Sequence, residues 1–407
     1  MGAMDASDSP SLTTPFAASA MSGHLDTRTA ATEVAEILHE RLSGPCHLVM
    51  VFGSYHHRAA FGDASALIRD AFDGPTTVGC TAESVLDLED EREGVAGLSA
   101  LALHLPGVAV HPWSLAGSPK APDAASVRKT LSIGQGLAGA VMLADPFSTP
   151  IQNLLPVLAD CRDGGGPVPL AGGMASGANQ PGVNVLALDG EVQHHGAVGV
   201  SLSGDLRMDF VVSQGCRPIG EPLIITAARE NVITELGGRK PQAILQDLAQ
   251  RLSDRERALL GKGLFIGLVI DEYKDRFGRG DFLIRNILAL DRNNGSLAIG
   301  DIPRVGQTVQ FHVRDADTAT EDLQLLLDAE QLKDPPLAGL LFTCNGRGMN
   351  LFDEPNHDVL AIRNRLGDLP LAGFFAAGEI GPIGERSFVH GHTASLVLLR
   401  RASPAEP

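Results

Sequence analysis

Apolar residues in this chain follow two patterns, short unbroken runs and stripes spaced three or four positions apart. His47–Phe52, Thr76–Cys80, Ala138–Ala144, Pro167–Gly172, Leu337–Cys344 and Pro370–Ala377 are runs with the length of buried strands. Stripes at helical spacing cover Thr27–Leu42, Ala59–Phe72, Ser126–Leu137, Ile151–Leu158, Pro241–Ser253, Ala316–Gln331 and Pro355–Leu366. Ala31, Val34, Ile37, Leu38 and Leu42 share one face of the first stripe. Thr308–Arg314 alternates in strand fashion, and the dipeptide Asp189-Gly190 predicts a hairpin between Gly182–Leu188 and Gly196–Leu202.

Three stretches read as copies of one unit. They run from His47 to Ser84, from Leu137 to Gly177 and from Leu337 to Glu379. Each has an apolar run, a polar break, a helical segment and a second run with a glycine step. The breaks align by spacing as Ser54 with Gly79, Phe147 with Gly172, and Cys344 with Gly373. A βαβ-like element used three times would gather its polar breaks at one end of a sheet, where α/β proteins hold small ligands. The expected fold is therefore α/β, with two related domains of mixed β-sheets flanked by helices and weak internal repeats. Residues 1–22 read as a disordered tail, 23–235 as the first domain and 236–405 as the second.

Charge narrows the partners. The 407 residues carry a formal net charge of −17, which disfavours nucleic acid and anionic membranes. Aromatics make up 4%, with Trp113, Tyr55 and Tyr273 the only Trp and Tyr, too few for a base-stacking platform. No apolar run reaches the roughly 18 residues of a membrane helix. The five cysteines lie far apart without a CxxC, so reduced thiols and a cytoplasmic location are expected.

Candidate chemistry sits at the breaks. Cys344-Asn345-Gly346-Arg347-Gly348 offers a forked donor for a carboxylate beside amides suited to an anion. A tight turn with Arg347 paired to a structural acid is the plain alternative. Glu379 stands alone in an uncharged stretch and needs a partner or a task; Arg347 is the natural candidate. Glu83 is read as its counterpart in the first copy. Cys80 adjoins Gly79, within the same unit as His56 and His57, which admits a nucleophile or a buried small hydrophobe. His194-His195 and His390…His392 complete a set of histidines suited to a metal or haem, or to ordinary capping. GQGLAG (Gly134–Gly139) precedes a strand and lacks the context of a dinucleotide fingerprint.

VGCTAE (Val78–Glu83), DPFS (Asp145–Ser148), GGMASG (Gly172–Gly177) and SQGCRPIG (Ser213–Gly220) resemble the N-terminal domain of the FIST family, the F-box and intracellular signal transduction proteins. FLIRNIL (Phe282–Leu288), GLLFTCNGRG (Gly339–Gly348) and PLAGFFAAGEIGP (Pro370–Pro382) resemble its C-terminal domain. The resemblance implies a sensory module for a small ligand, with amino acids the usual proposal and haem bound by some members. It supplies no catalytic triad. The two FIST-like domains use almost the whole chain, so the expected output is through a separate signalling protein, or the protein does something other than signal.

The combined expectation is a pocket for an amino acid or similar small anion or zwitterion. Arg347 and Asn345 would hold its anionic group and Glu379 its cationic one. Cys344, Glu83 and the backbone at Gly79–Cys80 and Gly172–Gly173 would complete the wall. The rivals are a haem- or metal-binding sensor, an enzyme using Cys80 or Cys344, and a protein-binding adaptor.

Overall fold

The same chain order of strands and helices occurs three times. A computed structural model describes residues 14–117, 123–162 and 166–402. The first unit comprises β1 (Phe16–Ser22), α1 (Thr27–Arg41), β2 (Leu48–Ser54), α2 (Phe61–Asp70), β3 (Thr76–Ala82), the hairpin β4 (Val85–Asp87) and β5 (Glu91–Arg92), and β6 (Leu98–His104). The second comprises β7 (Val108–Leu115), α3 (Ala124–Thr130), β8 (Leu137–Ala144), α4 (Ile151–Leu158), β9 (Leu170–Met174), the hairpin β10 (Leu186–Leu188) and β11 (Glu191–Gln193), and β12 (Ala197–Gly204). The third opens with β13 (Leu206–Gln214) and is then interrupted.

The interruption is a closed barrel. It contains β14 (Cys216–Arg229), β15 (Val232–Leu236), α5 (Pro241–Arg251), α6 (Asp254–Leu260), β16 (Leu264–Val269), β17 (Phe282–Leu290), β18 (Leu297–Ile299) and β19 (Thr308–Arg314). The strand order is β14-β15-β18-β17-β16-β19, closed by β14 against β19, so no edge is left open. The third unit then resumes with α7 (Ala316–Glu330), β20 (Ala338–Cys344), α8 (His357–Leu366), β21 (Leu371–Ala376), the hairpin β22 (Glu379–Ile383) and β23 (Arg386–His390), and β24 (Thr393–Arg401).

Each unit builds one mixed six-stranded sheet but completes it with a hairpin from another unit. The orders are β1-β6-β2-β3-β10-β11, β7-β12-β8-β9-β22-β23 and β13-β24-β20-β21-β4-β5. The first unit thus lends its hairpin to the third, the third to the second, and the second to the first. The inner faces of all three sheets share one apolar core without helices, centred on Phe52, Phe342 and Phe374. Those rings meet at 5.2 to 6.3 Å, and burying each contributes about 1.5–3 kcal/mol. Helix pairs α1–α2, α3–α4 and α7–α8 cover the outer faces with their own cores.

The glycine of each copy has a steric reason. Gly79, Gly172 and Gly373 lie opposite Val51, Met142 and Leu341 on the parallel partner strand. An added Cβ would stand 2.4, 1.9 and 1.9 Å from those residues' carbonyl oxygens.

The architecture is α/β with two related domains, as the sequence implies, and it alters several local readings. Residues 16–22, read as part of a tail, form β1 against β6; residues 1–13 of that reading lie outside the described residues. Asp189-Gly190 does turn a hairpin, but β10 pairs with the short β11, while β12 pairs with β7 and β8. Strand register also places Asp145, not Phe147, in the column of Ser54 and Cys344. Glu83 consequently aligns with Ser176 and Ala377, two positions before the column of Glu379.

Candidate functional site

The loops that follow the parallel strands of all three units meet around one cavity of about 640 Å³. Tyr55, Pro146 and Asn345 occupy one repeat column, after β2, β8 and β20. Glu83, Ser176 and Ala377 occupy another, after β3, β9 and β21. All six line the cavity. The position is the carboxyl end of the parallel strands, which open α/β sheets use for ligands.

Ser176 ties the three units together there. Its hydroxyl accepts from the Glu83 backbone N–H at 2.9 Å and donates to the Phe375 carbonyl. Gly177 N–H donates to Thr81 O at 3.2 Å, and Arg58 Nη1 donates to Gly177 O at 3.1 Å. Arg58 and Glu83 are the charged side chains of the wall. Among the described residues neither has an ion-pair partner. Asn345 lines the same wall, and its buried Oδ1 has no hydrogen-bond partner among the described residues. In the second unit, the buried Asp145 shapes the loop: Oδ2 accepts from Ser148 Oγ at 2.6 Å and from Phe147 N–H at 3.2 Å, while Oδ1 accepts from Asn184 Nδ2 at 3.0 Å.

Behind this wall lies a block of buried charge. Arg347 is fully buried and grips Asp358 with Nε at 2.8 Å and Nη2 at 2.7 Å, so its acid is Asp358 and not Glu379. Thr343 Oγ1 donates to Asp358 at 2.8 Å. Burial raises the Asp358 pKa, but Arg347 and His357 outweigh it and hold the carboxyl well below the usual carboxylate range. Glu91, arriving on the first unit's hairpin, accepts the backbone N–H groups of Asp358 and Val359 at 3.0 Å and so caps α8. Burial and the neighbouring Asp358 push its carboxyl up to about 8.

Glu379 is also fully buried, and its Oε2 accepts from Thr393 N–H at 3.0 Å and Thr393 Oγ1 at 2.7 Å. Burial pushes this carboxyl up to about 8, against the opposing pull of Thr393, the Cys344 thiol and Arg347. Arg347, Cys344 and Glu379 are therefore neighbours. Register also places Glu379 opposite Gly173, with Ile380 opposite Gly172.

The remaining sequence candidates serve the sheets. Gly79, Cys80, Gly172 and Gly173 are ladder residues between two paired strands, so their amides do not face the cavity. Cys80 lies in the shared core, where burial raises its thiol pKa. The other thiols are raised too, Cys46 to about 11 and Cys216 to about 12. Protonated thiols are poor nucleophiles. Among the histidines, His56 stacks on Tyr55 at 4.0 Å, and His57 Nδ1 lies 3.1 Å from Thr27 Oγ1. Burial lowers His390 and His392 to about 4. Among the described residues no group of three or more His, Cys, Asp or Glu side chains is arranged to hold a metal ion.

Residues 47–239 match the FIST N domain and residues 243–382 the FIST C domain. The chain belongs to the FIST family. The two matched ranges divide the barrel between β15 and α5, so both contribute strands to it. FIST domains are sensory domains of signal transduction. An uncharacterized protein of Mycobacterium tuberculosis (strain CDC 1551 / Oshkosh) is 39% identical over 386 residues, covering 92% of this chain and 96% of its own. An uncharacterized protein of Mycobacterium bovis is 40% identical over 384 residues, with the same coverage. Among solved structures, cyanuric acid hydrolase from A. caulinodans aligns with a TM-score of 0.35 at 9% identity, over 96% of this chain and 100% of that one. That likeness is too weak to carry an argument. No helix among the described residues is long and apolar enough to cross a membrane.

Sequence reasoning missed Tyr55, Arg58 and Ser176. The signal was present in the repeat: Tyr55 follows Ser54 as Asn345 follows Cys344, and Ser176 shares the column of Glu83.

Proposed function

We propose that this FIST protein is a cytoplasmic sensor that binds an amino acid or similar small zwitterion in the cavity shared by its three units. Arg58 takes the ligand's carboxylate and Glu83 its ammonium. One observation carries the reading: a guanidinium and a carboxylate, each without an ion-pair partner among the described residues, line a cavity built from equivalent positions of all three repeats. Opposed charges at one concavity suit a zwitterion better than a simple anion. A separate signalling protein then reads the bound state.

Isothermal titration and thermal-shift assays of the full chain against the common amino acids test this. Binding should occur, and Arg58→Ala or Glu83→Gln should abolish it. A panel that produces neither heat nor a melting shift overturns the proposal.

A further inference from the structure

The charged pair leaves the ligand's side chain undefined, and the rest of the wall defines it. The exposed aromatic residues among those described are Tyr55, Phe147 and Tyr273, at 41%, 44% and 97%. Two of the three, Tyr55 and Phe147, line this one cavity. In a chain with 4% aromatics such a concentration needs a cause.

Both residues are anchored beside the cavity and keep part of their rings exposed. Tyr55 stacks on His56 at 4.0 Å, and its hydroxyl reaches the Gly94 carbonyl at 3.5 Å. Phe147 is anchored through its backbone N–H to Asp145 at 3.2 Å, and Asp145 is itself held by Ser148 and Asn184. Pro146, Ala178 and Ala377 add small apolar surface beside them. Rigid aromatic rings that remain exposed at a concavity gain by covering their faces, and a second ring covers them best.

We infer that the ligand is an aromatic amino acid, its ring packed on Tyr55 and Phe147 while Arg58 and Glu83 hold its charged groups. This rests on the zwitterion reading above and adds the side-chain class.

The test is titration of the full chain with L-phenylalanine, L-tryptophan, L-alanine and L-aspartate, repeated on Phe147→Ala and Tyr55→Ala after circular dichroism confirms their fold. The aromatic ligands should bind about tenfold or more tighter than alanine. Phe147→Ala should remove most of the preference for phenylalanine over alanine. Equal affinities for alanine and phenylalanine, or tighter binding of aspartate, overturn the aromatic inference and leave the zwitterion site standing. A variant that weakens every ligand equally also overturns it, because the ring would then act by holding the loop. Absence of binding by both aromatic ligands overturns the aromatic inference, and silence of the full amino-acid panel overturns the zwitterion reading as well.

Discussion

Asn345 and Arg347 lie two residues apart on one loop, yet they belong to different worlds. Asn345 faces a cavity shared by three units and keeps a buried oxygen without a partner. Arg347 points inward, is fully buried and is clamped by Asp358. A similar contrast separates Glu83, unpaired at the cavity, from Glu91 and Glu379, buried behind it. The interior groups fasten the units to one another: Glu91 crosses from the first unit to cap a helix of the third. The unpaired charges at the wall remain open to a ligand. Partner, more than residue type, therefore separates scaffold from site.

The harshest way to break that contrast is to remove Arg347. Arg347→Ala leaves Asp358 buried without its guanidinium partner, and it should destabilise the fold by about 3–5 kcal/mol. Chemical denaturation measures this. Full stability together with lost ligand binding would move Arg347 from scaffold to site.

Titration of the interior carboxyls gives the next largest effect. Glu91 and Glu379 have folded pKa values near 8, above the 4.5 expected of the unfolded chain. The folded state thus favours their protonated forms. The stability they contribute is full below about pH 4.5 and is lost as pH rises through about 8. Glu379→Gln retains an oxygen for Thr393 and should flatten part of this slope. A stability curve that rises between pH 5 and 8, with no change in the variant, would contradict the burial argument.

Gly172 probes the same division at smaller cost. Gly172→Ala drives a Cβ to 1.9 Å from Met142 O at a φ of +147°, so the fold should lose about 2 kcal/mol. Ligand affinity of the molecules that do fold should be unchanged. A folded variant with normal stability and weakened binding would return the glycine amide to the site.

These residues also show what could be read before the fold was known. The repeat and the family were legible, because strand-length apolar runs and the Gly79, Gly172 and Gly373 columns answer to local sterics that leave a mark in sequence. The hairpin exchange was not, since nothing in Val85–Arg92 says which sheet its strands will join. That exchange decides the site. It brings Glu91 to Asp358 and thereby supplies Arg347's surroundings with acid from two units. Arg347 and Glu379 stood out in sequence because they are charges in apolar stretches, and such charges are the ones burial forces into pairs or protonation. Arg58 lay in an unremarkable polar run, and only convergence of three loops gives it a role.

The smallest expected effect on stability belongs to the cavity itself, and there the contrast is sharpest. Arg58 forms one hydrogen bond to the Gly177 carbonyl, and Glu83 contributes only its backbone N–H to the local network. Surface substitutions without a buried partner lie within about 0.5 kcal/mol, so Glu83→Gln should barely move the denaturation midpoint. Arg58→Ala gives up one partly buried hydrogen bond and should cost about 1 kcal/mol. Both should nonetheless remove ligand binding, because each carries one of the two charges a zwitterion must meet. Retained binding in Glu83→Gln alone would reduce the ligand to an anion, and Arg58 would then be the only charge the site requires.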